Sequence, residues 1–356
     1  MRFADHYQKL VSQVLPVIAA ELRQHGEKLP PHLREVTGSY LNRPGKCLRP
    51  VLLLLCCEAA GGNPEIALPA AAAVELFHTW TLLHDDVIDH DSLRRGQETG
   101  HIRGARLGRE DFQLPAKHAA DYGQSLAILA GDVLQGEVLH LLSTAAEIPA
   151  GKRLRLLAGL SSRLNPELLA GEQLDVEMAC RPLESISEEE ILEMMRLKTG
   201  VLLGYCAEAG TIIGASKDSN RELPAALRQF AESCGIAFQL QDDILGITGT
   251  EESLGKNIGS DLREGKRTLL LIKAWKQCTD AQRAELASVL GNEHAGAEEL
   301  ARATRIIVES GALQQTSELA EQYQQGALDI LNKVLPDGAG RENLQSWAAL
   351  MIKRKR

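Results

Sequence analysis

Residues 82 to 96 read LLHDDVIDHDSLRRG and place four aspartates directly after an apolar stretch. Asp85 and Asp89 are four residues apart, so on a helix they are neighbours, where like charges cost roughly 0.2–0.5 kcal/mol per pair. A hard divalent cation would remove this repulsion, and Mg²⁺ is usually shared between a few carboxylates and phosphate oxygens. The acidic row therefore predicts a magnesium site that holds a phosphate.

A second acidic pair, Asp242 and Asp243, ends another apolar run in QLQDDILGITGTEESLGKNIGSDLREGKRT, residues 239 to 268. Basic residues that could neutralise the remaining phosphate charge are Arg94, Arg95, Lys198, Lys256 and Lys266. Metals and cations together stabilise the negative charge that develops on a departing diphosphate. The two segments predict a diphosphate held between two helices and ionised to leave a carbocation.

Helices must position these groups, because Ala and Leu dominate the apolar positions while aromatic residues are only 4% of the chain. Helical periodicity with Gly or Pro punctuation predicts helices at Leu48 to Ala60 and at 66–91, 121–146, 151–170, 188–215 and 222–246, with more beyond Asp280. No linker or change of composition divides the chain. We expect an all-α fold in a single domain, residues 1–356.

Charge and cysteine content exclude several classes of function. The net charge of −9 and the pI near 5.7 leave no general footprint for nucleic acid or anionic lipid. Seven scattered cysteines and a start without an apolar segment predict reduced thiols in a cytoplasm. The apolar stretch from Ile66 to Leu83 is interrupted by Pro69, Glu75 and His78, which favours a buried core helix over a membrane span.

Ordered motifs along nearly the whole chain resemble the polyprenyl synthetase family, the trans-isoprenyl diphosphate synthases. They are GKCLRP (45–50), ELFHTWTLLHDDVIDHDSLRRG (75–96), LAGDVL (129–134), GEQLD (171–175), KTG (198–200), FQLQDD (238–243) and GKNIGSDLREGKRT (255–268). The resemblance implies an isoprenoid-synthase-type helical bundle around a deep central cavity. It also implies elongation of an allylic diphosphate with isopentenyl diphosphate, about three Mg²⁺ ions per site and a homodimer.

The resemblance assigns roles residue by residue. Magnesium ligands, some through water, would be Asp85, Asp86, Asp89, Asp242 and Asp243; Arg94, Lys198 and Lys256 would grip the allylic diphosphate. The metal-free site for isopentenyl diphosphate would comprise Gly45, Lys46, Arg49, His78 and Arg95. Thr199 and Gln239 would flank the developing cation, and Lys266 is another basic position of the motif. The released diphosphate would act as the base, and His84 is expected to be structural.

Three departures from the family pattern stand out. Gly246 replaces the third aspartate of many members, which predicts metal binding that survives but is weakened, and Glu172 stands where glutamine is common. The segment 97–117 is far longer than the usual link. We expect a solvated surface loop there, with a lid formed by Arg103, Arg106 and Arg109 as the alternative. The C-terminal KRKR is expected to be a solvated tail, with closure over substrate as the alternative.

Product length would depend on the side chains one and two turns before Asp85, namely Phe77, Trp80 and Thr81. A large Trp80 beside a small Thr81, without a two-residue insertion in the first motif, resembles the archaeal type that makes geranylgeranyl diphosphate. We therefore expect a C20 product, with farnesyl diphosphate (C15) second. In the alternative, Trp80 packs in the core or a subunit interface and the floor of the cavity lies elsewhere.

Three other classes remain as rivals. A non-catalytic subunit of a heteromeric synthase typically loses motif aspartates, but this chain keeps five. A di-iron bundle would use the E-x-x-H spacings at Glu75/His78 and Glu137/His140. With 48 acids and 10 histidines in 356 positions, chance alone gives about one acid-x-x-His spacing, and Glu98/His101 is a third copy. The pattern is therefore close to what chance produces. A head-to-head condensing enzyme would not need the GKCLRP segment.

Overall fold

Helices form most of the chain in the computed structural model, which describes residues 2–41, 45–216, 220–248, 260–292 and 294–352. They are α1 (Phe3–Gly26), α2 (Pro31–Gly38), α3 (Leu48–Ala59), α4 (Leu68–Ile88), α5 (Gly100–Phe112), α6 (Ala116–Thr144), α7 (Ala150–Gly159), α8 (Asn165–Cys180), α9 (Glu188–Met195), α10 (Val201–Gly214), α11 (Leu223–Thr248), α12 (Ser260–Arg263), α13 (Leu269–Gln277), α14 (Asp280–Val289), α15 (Ala297–Glu309), α16 (Ala312–Val334) and α17 (Ala339–Ile352). A small hairpin pairs β1 (Leu93–Arg94) with β2 (Gln97–Glu98). The all-α prediction is confirmed, and the deep central cavity stays a prediction.

The helices form two compact units, one of Met1–Ala158 with Ala209–Ser219 and one of Gly159–Glu208 with Asn220–Arg356. In the first unit, α4 lies against α1, α3, α5 and α6. In the second unit, α11 lies against α13, α16 and α17. The apolar core of this unit consists of buried residues that lie between Met178 and Ala320 in the sequence. The single domain spanning residues 1–356 stays a prediction.

Helix α4 carries the first acidic motif and is a core helix of the first unit. Pro69 lies in its first turn, where backbone N–H groups have no partner within the helix, so the N–H that proline lacks costs no hydrogen bond. Two helices of the described chain, Pro64–Ile88 and Ala116–Thr144, are long and apolar enough to cross a membrane, but 72% and 44% of their apolar windows are buried inside the protein. Burial of the first window favours the predicted core helix over a span.

The segment 97–117 is not the solvated loop that we expected, and that prediction is wrong. It contains α5, whose Gly104 and Gly108 are buried. A Cβ at Gly104 would lie 2.9 Å from Cα of Gly123, so the absence of side chains lets α5 and α6 pack closely. The four-residue spacing of Gly104 and Gly108 was the signal in the sequence, because small residues at this spacing share one helix face.

Arg106 of α5 lies among carboxylates of the first unit. It lies 3.1 Å from Glu98 and 2.9 Å from Glu110, and its Nη2 is 3.4 Å from Glu35. A guanidinium held by three carboxylates is a poor candidate for the alternative phosphate lid. These contacts instead fix the start of α5 beside the hairpin.

Most predicted helices are present with ends shifted by a few residues, but the first 47 residues carried no helix prediction and contain α1 and α2. The predicted helix at 151–170 continues to Cys180, with a π-turn at Leu160–Leu164. A second π-turn, Arg196–Gly200, interrupts the predicted helix at 188–215. Such turns often lie at functional sites, and this one contains Lys198 and Thr199.

Candidate active site

The first acidic motif lies at the C-terminal end of α4. Asp85 is half-buried, and Asp89 caps the helix in an exposed position with its N–H donating to the Asp85 carbonyl at 2.7 Å. A helix C-terminus carries the negative end of the helix dipole, so two carboxylates there are disfavoured by the dipole and by each other. A divalent cation relieves both effects, so Asp85 and Asp89 fit the predicted magnesium site.

Asp86 has different surroundings, since it is fully buried and hydrogen-bonded within the first unit. Nε of Arg94 donates to its Oδ1 at 2.6 Å, and the Tyr40 hydroxyl donates to its Oδ2. The Tyr40 oxygen accepts from the N–H of Gly100 at 2.9 Å. Burial, with the charge of Asp86, raises the pKa of Tyr40, which keeps it a donor. The roles of Asp86 at magnesium and Arg94 at diphosphate stay predictions.

A two-residue turn separates the environments of the adjacent arginines. Arg95 and Gly96 have φ of 53° and 73°, and Arg94 pairs with Gln97 across the strands. Positive φ at both central residues is typical of a type I′ hairpin. The hairpin directs Arg94 onto buried Asp86 and leaves Arg95 exposed.

The loop predicted to bind isopentenyl diphosphate packs against Arg95. A Cβ at Gly45 would lie 2.5 Å from Nη2 of Arg95, so glycine leaves room for the guanidinium. The Tyr7 hydroxyl, from α1, donates to the carbonyl of Lys46. Cys47 follows with a left-handed φ of 50° just before α3 begins. The loop is therefore held from α1 while Gly45 admits the arginine.

Glu75 and His78 on α4 lie in the electrostatic field of the same arginines. Burial raises the pKa of Glu75 although Arg49 and Arg95 oppose the shift. Burial lowers the pKa of His78 well below its usual value, and the charges of Arg49 and Arg95 lower it further. His78 is therefore neutral at pH 7, with a buried Nδ1 that has no hydrogen-bond partner in the described parts of the chain. A neutral donor beside two arginines fits an anion site that lacks a metal.

The predicted chain-length residues lie in and beside the core of α4. Phe77 and Trp80 are 1% and 7% exposed, with ring centroids 4.8 Å apart, and Thr81 is half-buried. The Trp80 ring lies 5.7 Å from that of His84, which packs on α6 where a Cβ at Gly131 would lie 2.2 Å from Nε2. The assignment of Trp80 as the floor stays a prediction, as does the structural role of His84.

Lys198 lies in the π-turn of the second unit and is held by two carboxylates. Its Nζ is 2.7 Å from Oδ2 of Asp175 and 2.9 Å from Oε2 of Glu172. A Cβ at Gly171 would lie 2.4 Å from the backbone nitrogen of Lys198, so glycine brings α8 onto the turn. The family often has glutamine at the position of Glu172. The glutamate therefore places a second negative charge beside Lys198, in addition to that of Asp175.

A line of polar contacts joins this turn to the second acidic motif. Oγ1 of Thr199 donates to Oε1 of Gln239 at 3.4 Å, and Nε2 of Gln239 donates to Oδ1 of Asp243 at 3.4 Å. Burial raises the pKa of Asp243 to about 7. Its Oδ2 is buried and accepts no hydrogen bond from the residues that the structure describes. Such an oxygen fits a metal ligand, because a cation would compensate its lost hydration.

Lys266 and Asp261 complete the surroundings of Asp243. Burial opposes the charge on Lys266, but Asp261, Asp243 and Asp175 raise its pKa, so it stays a cation. A Cβ at Gly246 would lie 3.0 Å from Oδ2 of Asp261. The carboxylate of Asp261 therefore lies beside the position that carries the third aspartate in many family members, and Gly246 leaves room for it.

The structure collects the predicted residues into two groups, one in each unit. The first comprises Gly45, Lys46, Arg49, Phe77, His78, Trp80, Thr81, Asp85, Asp86, Asp89, Arg94 and Arg95; the second comprises Lys198, Thr199, Gln239, Asp242, Asp243 and Lys266. Lys198, Thr199, Gln239, Asp243 and Lys266 line one small cavity of about 30 Å³ together with Asp175. Lys256 and the KRKR tail lie outside the described residues.

Several polar residues at these groups were missed from the sequence. Asp175 and Asp261 lie inside the quoted motifs GEQLD and GKNIGSDLREGKRT, where their acidic side chains were the signal. Tyr7 and Tyr40 had no signal, because each reaches a partner far along the chain, at Lys46 and at Asp86. Contacts of this kind depend on tertiary packing.

Comparison with known proteins gives the family of the chain. The family profile described as polyprenyl synthetase matches residues 30–307. The geranylgeranyl diphosphate synthase of Sulfolobus acidocaldarius is 34% identical over 332 residues, which cover 93% of this chain and 92% of that protein.

Two solved structures are similar over the whole chain. Geranylgeranyl pyrophosphate synthetase from Pyrococcus horikoshii matches with a TM-score of 0.84 and 30% identity, covering 99% of this chain and 98% of that one. The Corynebacterium glutamicum geranylgeranyl pyrophosphate synthase, complexed with isoprenyl diphosphate and magnesium, matches with a TM-score of 0.85 and 26% identity over 100% of both chains. The chain therefore belongs to the polyprenyl synthetase family of prenyltransferases.

Proposed function

We propose that this protein is a magnesium-dependent geranylgeranyl diphosphate synthase, which condenses isopentenyl diphosphate with allylic diphosphates to a C20 product. The observation that carries the proposal is the polar group of the second unit. There a buried Asp243 oxygen, which accepts no hydrogen bond from any described residue, lines one cavity with the cations Lys198 and Lys266. A carboxylate that can bind a metal, with cations fixed beside it, is suited to holding a diphosphate while negative charge develops on that group.

On the allylic side, the proposed magnesium ligands are Asp85, Asp86, Asp89, Asp242 and Asp243, for about three ions. Bound magnesium supplies positive charge that stabilises the diphosphate as the carbon–oxygen bond breaks. Lys198, Lys266, Arg94 and Lys256 neutralise further phosphate oxygens. The Thr199 hydroxyl oxygen and the Gln239 amide oxygen present negative dipole ends to the allylic cation. Asp261 supplies a carboxylate in place of the aspartate that many family members carry at the position of Gly246.

On the other side, the protein itself binds isopentenyl diphosphate without a metal. Arg49, Arg95 and Lys46 supply the positive charge, Gly45 admits the Arg95 guanidinium, and neutral His78 donates a hydrogen bond. Glu75 holds the arginines in place through its charge. The new carbon–carbon bond leaves a cation on the former isopentenyl group. Its proton passes to the released diphosphate, so no protein base is required.

We propose that Trp80 closes the end of the product cavity at C20, because it is a large, buried side chain supported by Phe77 and His84. Purified protein should be incubated with magnesium, isopentenyl diphosphate and each of dimethylallyl, geranyl and farnesyl diphosphate, and the products separated by chromatography. We expect C20 from wild type and longer products from Trp80→Ala. Thr79→Ala, on the same helix, is the control and should still stop at C20. Accumulation of C15 by wild type would favour farnesyl diphosphate synthase.

We propose that the protein acts as a homodimer. Ile128, Leu129 and Leu139 on α6 are 46%, 50% and 44% exposed, which is unusual for large apolar side chains along one helix. Light scattering on purified protein should give twice the mass of one chain. Turnover by that single gene product would exclude a non-catalytic subunit, and absence of turnover with magnesium and both substrates would favour it. The cytoplasmic location stays a prediction.

A further inference from the structure

A cluster of histidines and glutamates lies between α1 and α6, away from the residues assigned to prenyl transfer. Glu21 and His25 are four residues apart on α1, while Glu137 and His140 are three residues apart on α6, so each pair shares a helix face. The imidazole rings of His25 and His140 meet edge to face with centroids 4.7 Å apart. Glu137 and His140, the second E-x-x-H pair of the sequence, therefore lie against Glu21 and His25 rather than against Glu75 and His78.

The donor atoms are close enough to share one ion. Nδ1 of His25 lies 3.3 Å from Oε1 of Glu21, and Nε2 of His140 lies 3.6 Å from the same oxygen. One ligand atom each from Glu21, His25 and His140 lie within 4.8 Å of one another. Nδ1 of His25 also lies 2.6 Å from Oε2 of Glu137.

These separations match tetrahedral coordination. Zinc binds imidazole nitrogen and carboxylate oxygen at about 2.0–2.2 Å, so two tetrahedral ligands lie roughly 3.3–3.5 Å apart. The Glu21–His25 and Glu21–His140 distances fall at or near this value without rearrangement. The Glu137–His25 distance is that of a hydrogen bond, which would lengthen as Nδ1 gives up its proton to the solvent and takes the metal.

A second observation points to a missing partner at the same position. Glu21 is only 9% exposed, and its Oε1, the oxygen that faces both histidines, accepts no hydrogen bond within the described residues. A buried carboxylate oxygen without a hydrogen bond is costly unless a cation compensates it. Glu137 adds a second carboxylate beside it, since its Oε2 lies 2.6 Å from Nδ1 of His25. The cluster therefore places two carboxylates and two imidazoles around one position.

The chemistry of the donors distinguishes this cluster from the acidic motifs. Magnesium and calcium prefer sites made of oxygen atoms, whereas imidazole suits zinc and other transition metals. Two imidazoles and two carboxylates are therefore a transition-metal set. An ion has two routes in, because 43% of the His140 side chain is exposed and His25 and Glu137 line a cavity of about 430 Å³ in the first unit.

We propose that Glu21, His25, Glu137 and His140 bind one divalent transition-metal ion of the zinc class, which fastens α1 to α6. This ion is distinct from the magnesium ions of catalysis and takes no part in the chemical step. It stabilises the N-terminal helix, whose Tyr7 also bonds the carbonyl of Lys46.

The test is a titration of metal-free protein with ZnCl₂ in saturating MgCl₂, which occupies the oxygen sites. We expect one zinc per chain from equilibrium dialysis and elemental analysis. The Kd should rise at least about tenfold in His25→Ala and in His140→Ala, because even changes outside the ligand shell cost 10–100-fold. His118 is an exposed histidine on α6, the helix that carries His140. His118→Ala is therefore the matched control and should bind zinc as wild type does.

A conservative variant guards against misfolding. His25→Gln keeps a polar side chain beside Glu137, so loss of zinc binding by a variant with an unchanged circular dichroism spectrum points to the ligand. Zinc at roughly 100 times its Kd should raise the Tm of wild type by at least about 3 °C and leave that of His25→Gln unchanged.

Cobalt substitution gives an independent readout, since a tetrahedral site with two nitrogen ligands produces strong visible absorption and an octahedral oxygen site does not. Absence of zinc binding under these conditions would overturn the proposal. So would equal affinity in wild type, His25→Ala and His140→Ala, or a zinc site that disappears in Asp85→Ala.

Discussion

The two acidic motifs look alike in sequence, but their buried aspartates are in different states. In the first motif, Asp86 is bonded to Arg94 and to Tyr40. In the second, Asp243 is also buried, but its contact from Gln239 is 3.4 Å long and its other oxygen accepts no hydrogen bond in the described structure. The charge of Asp86 is compensated by a directly bonded arginine, while among the described residues Asp243 has the nearby charge of Lys266 and one oxygen that accepts no hydrogen bond.

The difference shows that a doubled aspartate does not mean two equal metal ligands. In the first motif, one carboxylate holds the hairpin that carries the two arginines, and its neighbours Asp85 and Asp89 lie at the helix end. In the second, the buried carboxylate keeps an oxygen for a cation. We therefore expect substitutions in the first motif to separate stability from activity, and those in the second to couple stability to pH and magnesium.

The largest expected effect follows Arg94→Ala. This change leaves Asp86 buried without its ion-pair partner, and breaking such a pair costs about 3–5 kcal/mol. Denaturant unfolding measures the loss. Arg109→Ala is the control, because Arg109 is exposed on α5 and its loss should change stability by less than about 0.5 kcal/mol. Recovery of stability in Arg94→Ala with Asp86→Asn would sharpen the comparison, and a stable Arg94→Ala would refute the assigned pair.

The next largest effect is on turnover in Asp85→Ala. Loss of a group that holds charge-stabilising metal should lower the rate at least about 10²-fold, because one well-placed electrostatic contact is worth 10²–10³. The free energy of unfolding should change far less than the activation free energy, since Asp85 is half-buried at the end of α4. Steady-state kinetics with varied magnesium measures the loss, and a chelator should abolish turnover in wild type. Near-normal rates would contradict the metal assignment.

Asp243 should couple stability to pH in the absence of metal. Its pKa is raised from 3.8 to about 7, so the folded state holds the proton more tightly, and stability present at low pH is lost as pH rises from about 4 through 7. The expected loss between pH 5 and 7 is about 2 kcal/mol, since the full slope is 1.36 kcal/mol per pH unit.

Unfolding of wild type and Asp243→Asn in a chelator tests this prediction. The variant should be the more stable at pH 7 and should lack this pH dependence. Magnesium should reverse the loss in wild type alone. A wild-type stability that rises over the same pH range would show that other groups dominate.

The smallest expected effect follows Glu172→Gln. The amide keeps a hydrogen-bond acceptor for Lys198 but removes one of its two negative neighbours, so the lysine should bind diphosphate more strongly. We expect KM for the allylic diphosphate to fall by a factor of about 2–10 with little change in the free energy of unfolding. Glu177→Gln, an exposed change on the same helix, is the control. An increase in KM would show that Glu172 positions Lys198 rather than weakening it.

The sequence predicted the helices around both acidic motifs well, because a long apolar run with polar groups at three- and four-residue steps has one stable helical solution. It predicted segment 97–117 wrongly. The glycines and arginines there suggest a loop, but Gly104 packs against Gly123 of α6, and the gain from that contact depends on a residue elsewhere in the chain. The π-turn at Lys198 was missed for the same reason, since it packs against Gly171 of α8.

Sequence alone determined which side chains were available for chemistry, and through helical spacing which of them share a face, because both properties are local. Tertiary structure decided which carboxylates are compensated. Asp86 bonds to Tyr40 and Arg94, and Lys198 bonds to Glu172 and Asp175. Asp243 keeps one oxygen without a hydrogen bond within the described parts of the chain. Glu21 and His25 meet Glu137 and His140 only because α1 packs beside α6. Compensation of a buried charge depends on which helices meet, and spacing along one helix carries no record of that.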